Sequence, residues 1–143
     1  MKTIALGAAM LGLLAALLAP GLTSAQDTAD HKVKWFSYDE GLALAASQRK
    51  PVVIYFYAEW CAYCVRMEKE TYADPKVIEF LNNRAVAVKV DVDREREVAR
   101  RYAVRGLPAT YLLLPGGDQI GPLPGFIPPR SYLAMLTKIL AQS

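Results

Sequence analysis

A dithiol at a strand-to-helix joint constrains this chain more than any other feature. The only two cysteines, Cys61 and Cys64, lie two residues apart in Trp60-Cys61-Ala62-Tyr63-Cys64. The apolar run Val52-Val53-Ile54-Tyr55-Phe56-Tyr57-Ala58 precedes them, and Val65-Arg66-Met67-Glu68-Lys69 follows with helical spacing. A thiol attacks a disulfide only as its thiolate. The unpaired N–H groups and positive dipole end of a first helical turn favour an anion there. Cys61 is therefore the expected nucleophile, its pKa drawn below the ordinary value of about 8.5. Cys64, about one turn on, can attack the mixed disulfide on Cys61, release the substrate and close a Cys61–Cys64 bond.

Other uses of the pair fit less well. A structural bridge across two residues constrains little chain and stabilises little. A closed zinc site needs about four ligands, whereas this chain offers two thiols and one distant histidine, His31. No metal is expected, and His31 reads as a solvent-exposed side chain.

The N-terminus carries an address. Met1-Lys2 is followed by an apolar or glycine run from Ile4 to Ala19, a Pro20-Gly21 break and the small residues Thr23-Ser24-Ala25. This is the pattern of a secretory signal peptide cleaved after Ala25. The run is shorter than the ~20 residues of a typical membrane span. No integral span is expected after cleavage, and an uncleaved anchor is the alternative. The chain divides into a signal peptide at 1–25, a loose polar leader at 26–32 and one domain at 33–143. Its formal net charge of +3 points to neither nucleic acid nor an anionic membrane as partner. Export agrees with a disulfide-permissive compartment. A single cysteine pair at redox spacing then reads as a handler of other proteins' disulfides.

The remaining pattern is α/β. Val33-Lys34-Trp35-Phe36 reads as a short strand, and Ser37-Tyr38-Asp39-Glu40 as a capping box opening a helix that stops before Pro51. Val52–Ala58 is apolar without alternation, as in a strand covered on both faces. Helix is expected from Cys61 toward Tyr72. A second helix starts with Asp74 as N-cap and Pro75 in its first turn and ends at Asn82-Asn83. Strand follows over Ala85–Val92. A charged helix comes next, with Glu97 and Arg101 paired at i,i+4. Ala109–Leu114 is a strand. The strand at Gln119-Ile120-Gly121 is irregular or at an edge because of Pro122 and Pro124. The last helix, Arg130 to Ala141, turns Leu133, Leu136, Ile139 and Leu140 inward.

This order, with the dithiol at the end of the second strand, resembles the thioredoxin fold: a central mixed β-sheet flanked by helices. Ala58-Glu59-Trp60-Cys61 is similar to the thioredoxin active-site entry. Lys89 stands where thioredoxins carry a lysine, Arg105-Gly106-Leu107-Pro108-Ala109-Thr110 looks like the cis-proline segment, and Gly125 matches a glycine on the last strand. The extra Asp74-Pro75 helix is closer to exported bacterial thioredoxin-like proteins, including the C-terminal periplasmic domain of the transmembrane disulfide reductase. The resemblance implies a cis Pro108 facing the cysteines, Leu107 offering its backbone to an extended substrate, and Trp60 shaping the contact surface.

Two departures from the family pattern matter. Thioredoxins carry a buried aspartate six residues before the first cysteine; here that residue is Tyr55. A phenol of pKa ~10 is a poor base near neutrality, which leaves Glu59, Lys89 or water to move the Cys64 proton. Ala62-Tyr63 also replaces the usual Gly-Pro, and no histidine lies between the cysteines. The missing histidine tilts the expectation toward a reductant. The expected protein is a monomeric periplasmic thiol–disulfide oxidoreductase without a cofactor. It would reduce protein disulfides or carry electrons from a membrane disulfide reductase. The alternatives are a disulfide isomerase or oxidase, and a non-catalytic thioredoxin-fold chaperone or soft-metal carrier.

Overall fold

The computed structural model describes residues 31–142. The expected signal peptide, and the leader up to residue 30, lie outside the described residues. The elements run β1 (Trp35–Phe36), α1 (Tyr38–Gln48), β2 (Val52–Tyr57), α2 (Ala62–Glu70), α3 (Pro75–Arg84), β3 (Val86–Asp91), α4 (Arg96–Arg101), β4 (Ala109–Leu113), β5 (Gln119–Pro124) and α5 (Pro129–Leu140). They form one five-stranded mixed sheet in the order β1-β3-β2-β4-β5. β3 runs parallel to β1 and β2, while β4 runs antiparallel to β2 and β5.

The unalternating apolar run of β2 is explained by its central place. Val53 and Tyr55 face one core, which holds Cys64 and Met67 of α2, Val77, Ile78 and Leu81 of α3, and Tyr132 and Leu136 of α5. Ile54 and Phe56 face the other, with Tyr38 and Ala45 of α1 and Tyr102 beside α4. A strand covered on both faces has no polar side to show. Burying so many large side chains on each face, at roughly 1.5–3 kcal/mol apiece, is what holds the two helical layers to the sheet.

Local signals placed the helix ends with some differences. Asp74 caps α3 as its sequence suggests, accepting from the N–H groups of Lys76 and Val77. Ser37 does precede α1, but its hydroxyl donates to Glu40 Oε2 at 2.6 Å and caps no backbone N–H. The capping-box expectation is corrected: the two side chains satisfy each other. Helix α2 stops at Glu70, short of Tyr72, and α3 continues past the two asparagines to Arg84. Glu97 pairs with Arg100 at 2.7 Å, not with Arg101. Arg101 instead lies over the ring of Tyr38, the first residue of α1. The inward face of α5 is centred on Tyr132 and Leu136, with Leu133, Ile139 and Leu140 only partly buried. Gly125 falls just past β5, where its φ of 78° lets its N–H reach Pro108 O at 2.8 Å. No helix among the described residues is long and apolar enough to cross a membrane.

Candidate active site

Cys61 is the N-cap residue of α2. Its backbone is extended and its Sγ accepts the Cys64 N–H at 3.2 Å. The sulfur thus occupies the place where a capping oxygen meets the free N–H groups of a first turn. Cys61 and Cys64 lie at disulfide distance, with Cα atoms 5.2 Å apart. Cys61 keeps 6% of its surface and Cys64 only 1%, so an incoming sulfur meets Cys61 first.

Beneath the pair lies Tyr55. Its register on β2 turns it toward α2, and its hydroxyl donates to Cys64 O at 3.2 Å. Glu68 is the nearby carboxylate whose charge acts on this phenol. Burial, reinforced by the Glu68 charge, pushes the Tyr55 phenol far above its ordinary value of 10, so it stays protonated. Glu68 stands one turn beyond Cys64 on the same helix face. Lys89 of β3 pairs with it at 3.1 Å and lies over the Tyr57 ring at 4.1 Å. Strand register explains the arrangement, since Tyr55 pairs with Lys89 across β2 and β3. The sequence reading passed over Glu68. Its i+4 spacing from Cys64 was the available signal, but only the β2–β3 register shows that Lys89 meets it.

The other candidates are distributed around the rim. Trp60 is 72% exposed and its indole N–H donates to Asp93 Oδ2 at 2.8 Å. It is therefore no core filler. Asp93 is held by the β3–α4 turn, where Asp91 accepts the Asp93 N–H at 2.9 Å. Glu59 is a surface carboxylate bonded to Arg94 at 3.3 Å. The Leu107–Pro108 peptide is cis. Ala109 pairs with Phe56, so this peptide leaves the sheet at the same end as Ala58–Cys61. Pro108 is buried and Leu107 half-buried. His31 is exposed. Among the described residues no group of three or more metal-ligating side chains comes together.

Residues 38–140 match the thioredoxin-like domain family. The chain belongs to this family. It is 36% identical to a thioredoxin from Thermus thermophilus, whose solution structure it matches with a TM-score of 0.70 over 76% of this chain and 88% of that one. It is also 42% identical over 91 residues to the thioredoxin-like protein CITRX, chloroplastic, of Solanum tuberosum, covering 63% of this chain and 50% of the plant protein. A third relative is the thiol:disulfide interchange protein DsbD of Ralstonia nicotianae, 32% identical over 107 residues, which are 71% of this chain and 17% of that protein. The chain spans about half the length of the plant relatives it matches. Within this thioredoxin-like domain the two cysteines stand at disulfide distance, as a redox pair would.

Proposed function

We propose that the chain is an exported reductant of protein disulfides, recharged by a membrane disulfide reductase. The observation that carries this reading is the position of Cys61, the more accessible sulfur, at the α2 N-cap over a buried Cys64. A Cys61 thiolate attacks one sulfur of the substrate disulfide. The substrate S–S bond breaks, its second sulfur leaves as a thiolate that takes a proton, and Cys61 is held in a mixed disulfide. Cys64 then loses its proton and attacks Cys61 Sγ, freeing the other substrate sulfur. Two electrons have left the dithiol, and no organic cofactor takes part.

In this reading Glu68 takes the Cys64 proton. It sits on the same helix face as Cys64 and is paired with Lys89, whereas Glu59 is engaged at the surface. Trp60, Leu107 and Pro108 form the substrate rim, where an extended peptide lies beside the Leu107 backbone. Export rests on the Met1–Ala25 pattern and on a domain with no cysteine beyond the redox pair.

The Cys61–Cys64 reduction potential, measured against a dithiothreitol or glutathione series, tests the direction. A value near −270 mV supports a reductant, and one near −120 to −180 mV replaces it with an oxidase or isomerase. A pair that does not cycle moves the assignment to a binding module. Fractionation with mass spectrometry tests export, for which the mature chain should begin at Gln26.

A further inference from the structure

A groove of about 620 Å³ begins at Gly106, next to Leu107, and runs along the outer face of β5 between Tyr102, Val104, Pro122 and Pro124. It lies open because β5 is the edge strand of the sheet. Ile120 and Leu123 of that strand turn toward the core, while Gln119, Gly121, Pro122 and Pro124 stay exposed. The floor is built. Tyr111 OH donates to Tyr102 O at 2.8 Å, which fixes the ring. Gly121, at φ 135°, keeps it uncovered, since a Cβ there would stand 2.7 Å from Tyr111 Cδ1 and 3.0 Å from Thr110 O. Pro122 and Pro124 have no N–H to offer an added strand. An occupant is therefore held by apolar walls and charge.

The charge comes from Arg105. It is exposed at the mouth of the groove, whose lining contains no carboxylate. The arginines of α4 and the turn before it are engaged: Arg94 with Glu59 and Asp91, Arg96 with Asp93 O, Arg100 with Glu97, and Arg101 over Tyr38. Arg105 makes no ion pair or hydrogen bond among the described residues. It stands two residues before Leu107, so groove and rim are continuous. An extended chain advances about 3.3 Å per residue. A substrate lying at Leu107 enters the groove within a few residues of its target cysteine.

We propose that this groove takes the extended substrate segment flanking the target cysteine, and that Arg105 selects an acidic side chain in it. This rests on the disulfide-reductant reading above. The test uses two peptides whose cysteine is disulfide-bonded to 2-mercaptoethanol, alike except for Asp or Lys three residues from that cysteine. Single-turnover rates are measured with the reduced protein at low salt. The Asp peptide should react about tenfold faster, the advantage should shrink as salt screens the contact, and Arg105→Glu should reverse the order. The ratio of the two rates within each variant cancels any general change in the dithiol. A wild-type ratio near one, or the same ratio in Arg105→Glu, overturns the proposal. Bis(2-hydroxyethyl) disulfide, which is neutral and too small for the groove, separates the two readings. If the wild-type protein cannot reduce it, the reductant reading itself falls and the groove assignment with it.

Discussion

Glu68 Oε1 lies 3.1 Å from Lys89 Nζ, one helical turn beyond Cys64. The pair joins α2 to β3 beside the redox centre, where the Tyr55 hydroxyl donates to the Cys64 carbonyl. The resemblance to thioredoxins implies a buried acid at the position of Tyr55 for moving the Cys64 proton. Here burial keeps the phenol protonated, and under the proposed mechanism Glu68 takes the proton instead.

Glu68→Gln should slow the attack of Cys64 on the mixed disulfide by roughly a hundredfold, the low end of what a positioned base contributes. Without that base, Cys64 must ionise by itself, so the rate should rise with pH toward the ordinary thiol range near 8.5. Stopped-flow measurement of mixed-disulfide decay from pH 6 to 10 checks this. A profile unchanged in height and midpoint removes Glu68 from the mechanism.

Trp60→Ala should raise KM for a protein disulfide several-fold, because it removes a large exposed apolar face from the rim. Its effect on stability should stay within about 0.5 kcal/mol, since the ring is largely in solvent. Insulin reduction kinetics and a urea melt report the two quantities separately.

Alkaline stability should fall between pH 10 and 12. Burial pushes the Tyr132 phenol up to about 12, and Tyr72, bonded to it at 3.2 Å, is raised as well. An unfolded tyrosine ionises at about 10. Between the two values the unfolded chain has released a proton that the folded chain keeps, so raising the pH favours unfolding. The contribution is fully present below pH 10 and is lost at about 1.4 kcal/mol per pH unit for each such tyrosine. Urea midpoints at pH 8, 10 and 11 should be nearly flat over the first interval and drop over the second.

Gly41→Ala should destabilise the fold although it lies in helix α1. Helix propensity alone would favour alanine by about 1 kcal/mol. A Cβ at this position, however, enters the van der Waals space of Val88 Cγ2 on β3, and overpacking a tight core costs about 1–3 kcal/mol. The net loss, about 1 kcal/mol, should appear as a lower urea midpoint with an unchanged slope.

The central β2 strand, the dithiol at its end, the α3 cap at Asp74 and the edge character of β5 were all legible in the chain. Each depends on neighbours a few residues apart: hydrophobic period, a capping side chain, or a proline without an N–H. The misread details share the opposite character. The Ser37 hydroxyl could accept from a backbone N–H or donate to Glu40, and local spacing does not rank the two. Arg101 left its i,i+4 partner for a ring on another helix.

What the amino-acid order determined by itself was the chemistry: two thiols one helical turn apart, at the start of a helix, after a strand with no polar face. Those constraints are covalent and local. Tertiary structure alone decided how that chemistry is served. Trp60 meets Asp93 across 33 residues, and Lys89 reaches Glu68 because β2 and β3 pair in one register. A shift of one residue would turn Tyr55 and Lys89 to the opposite face of the sheet. Only packing both faces of the sheet excludes that shift.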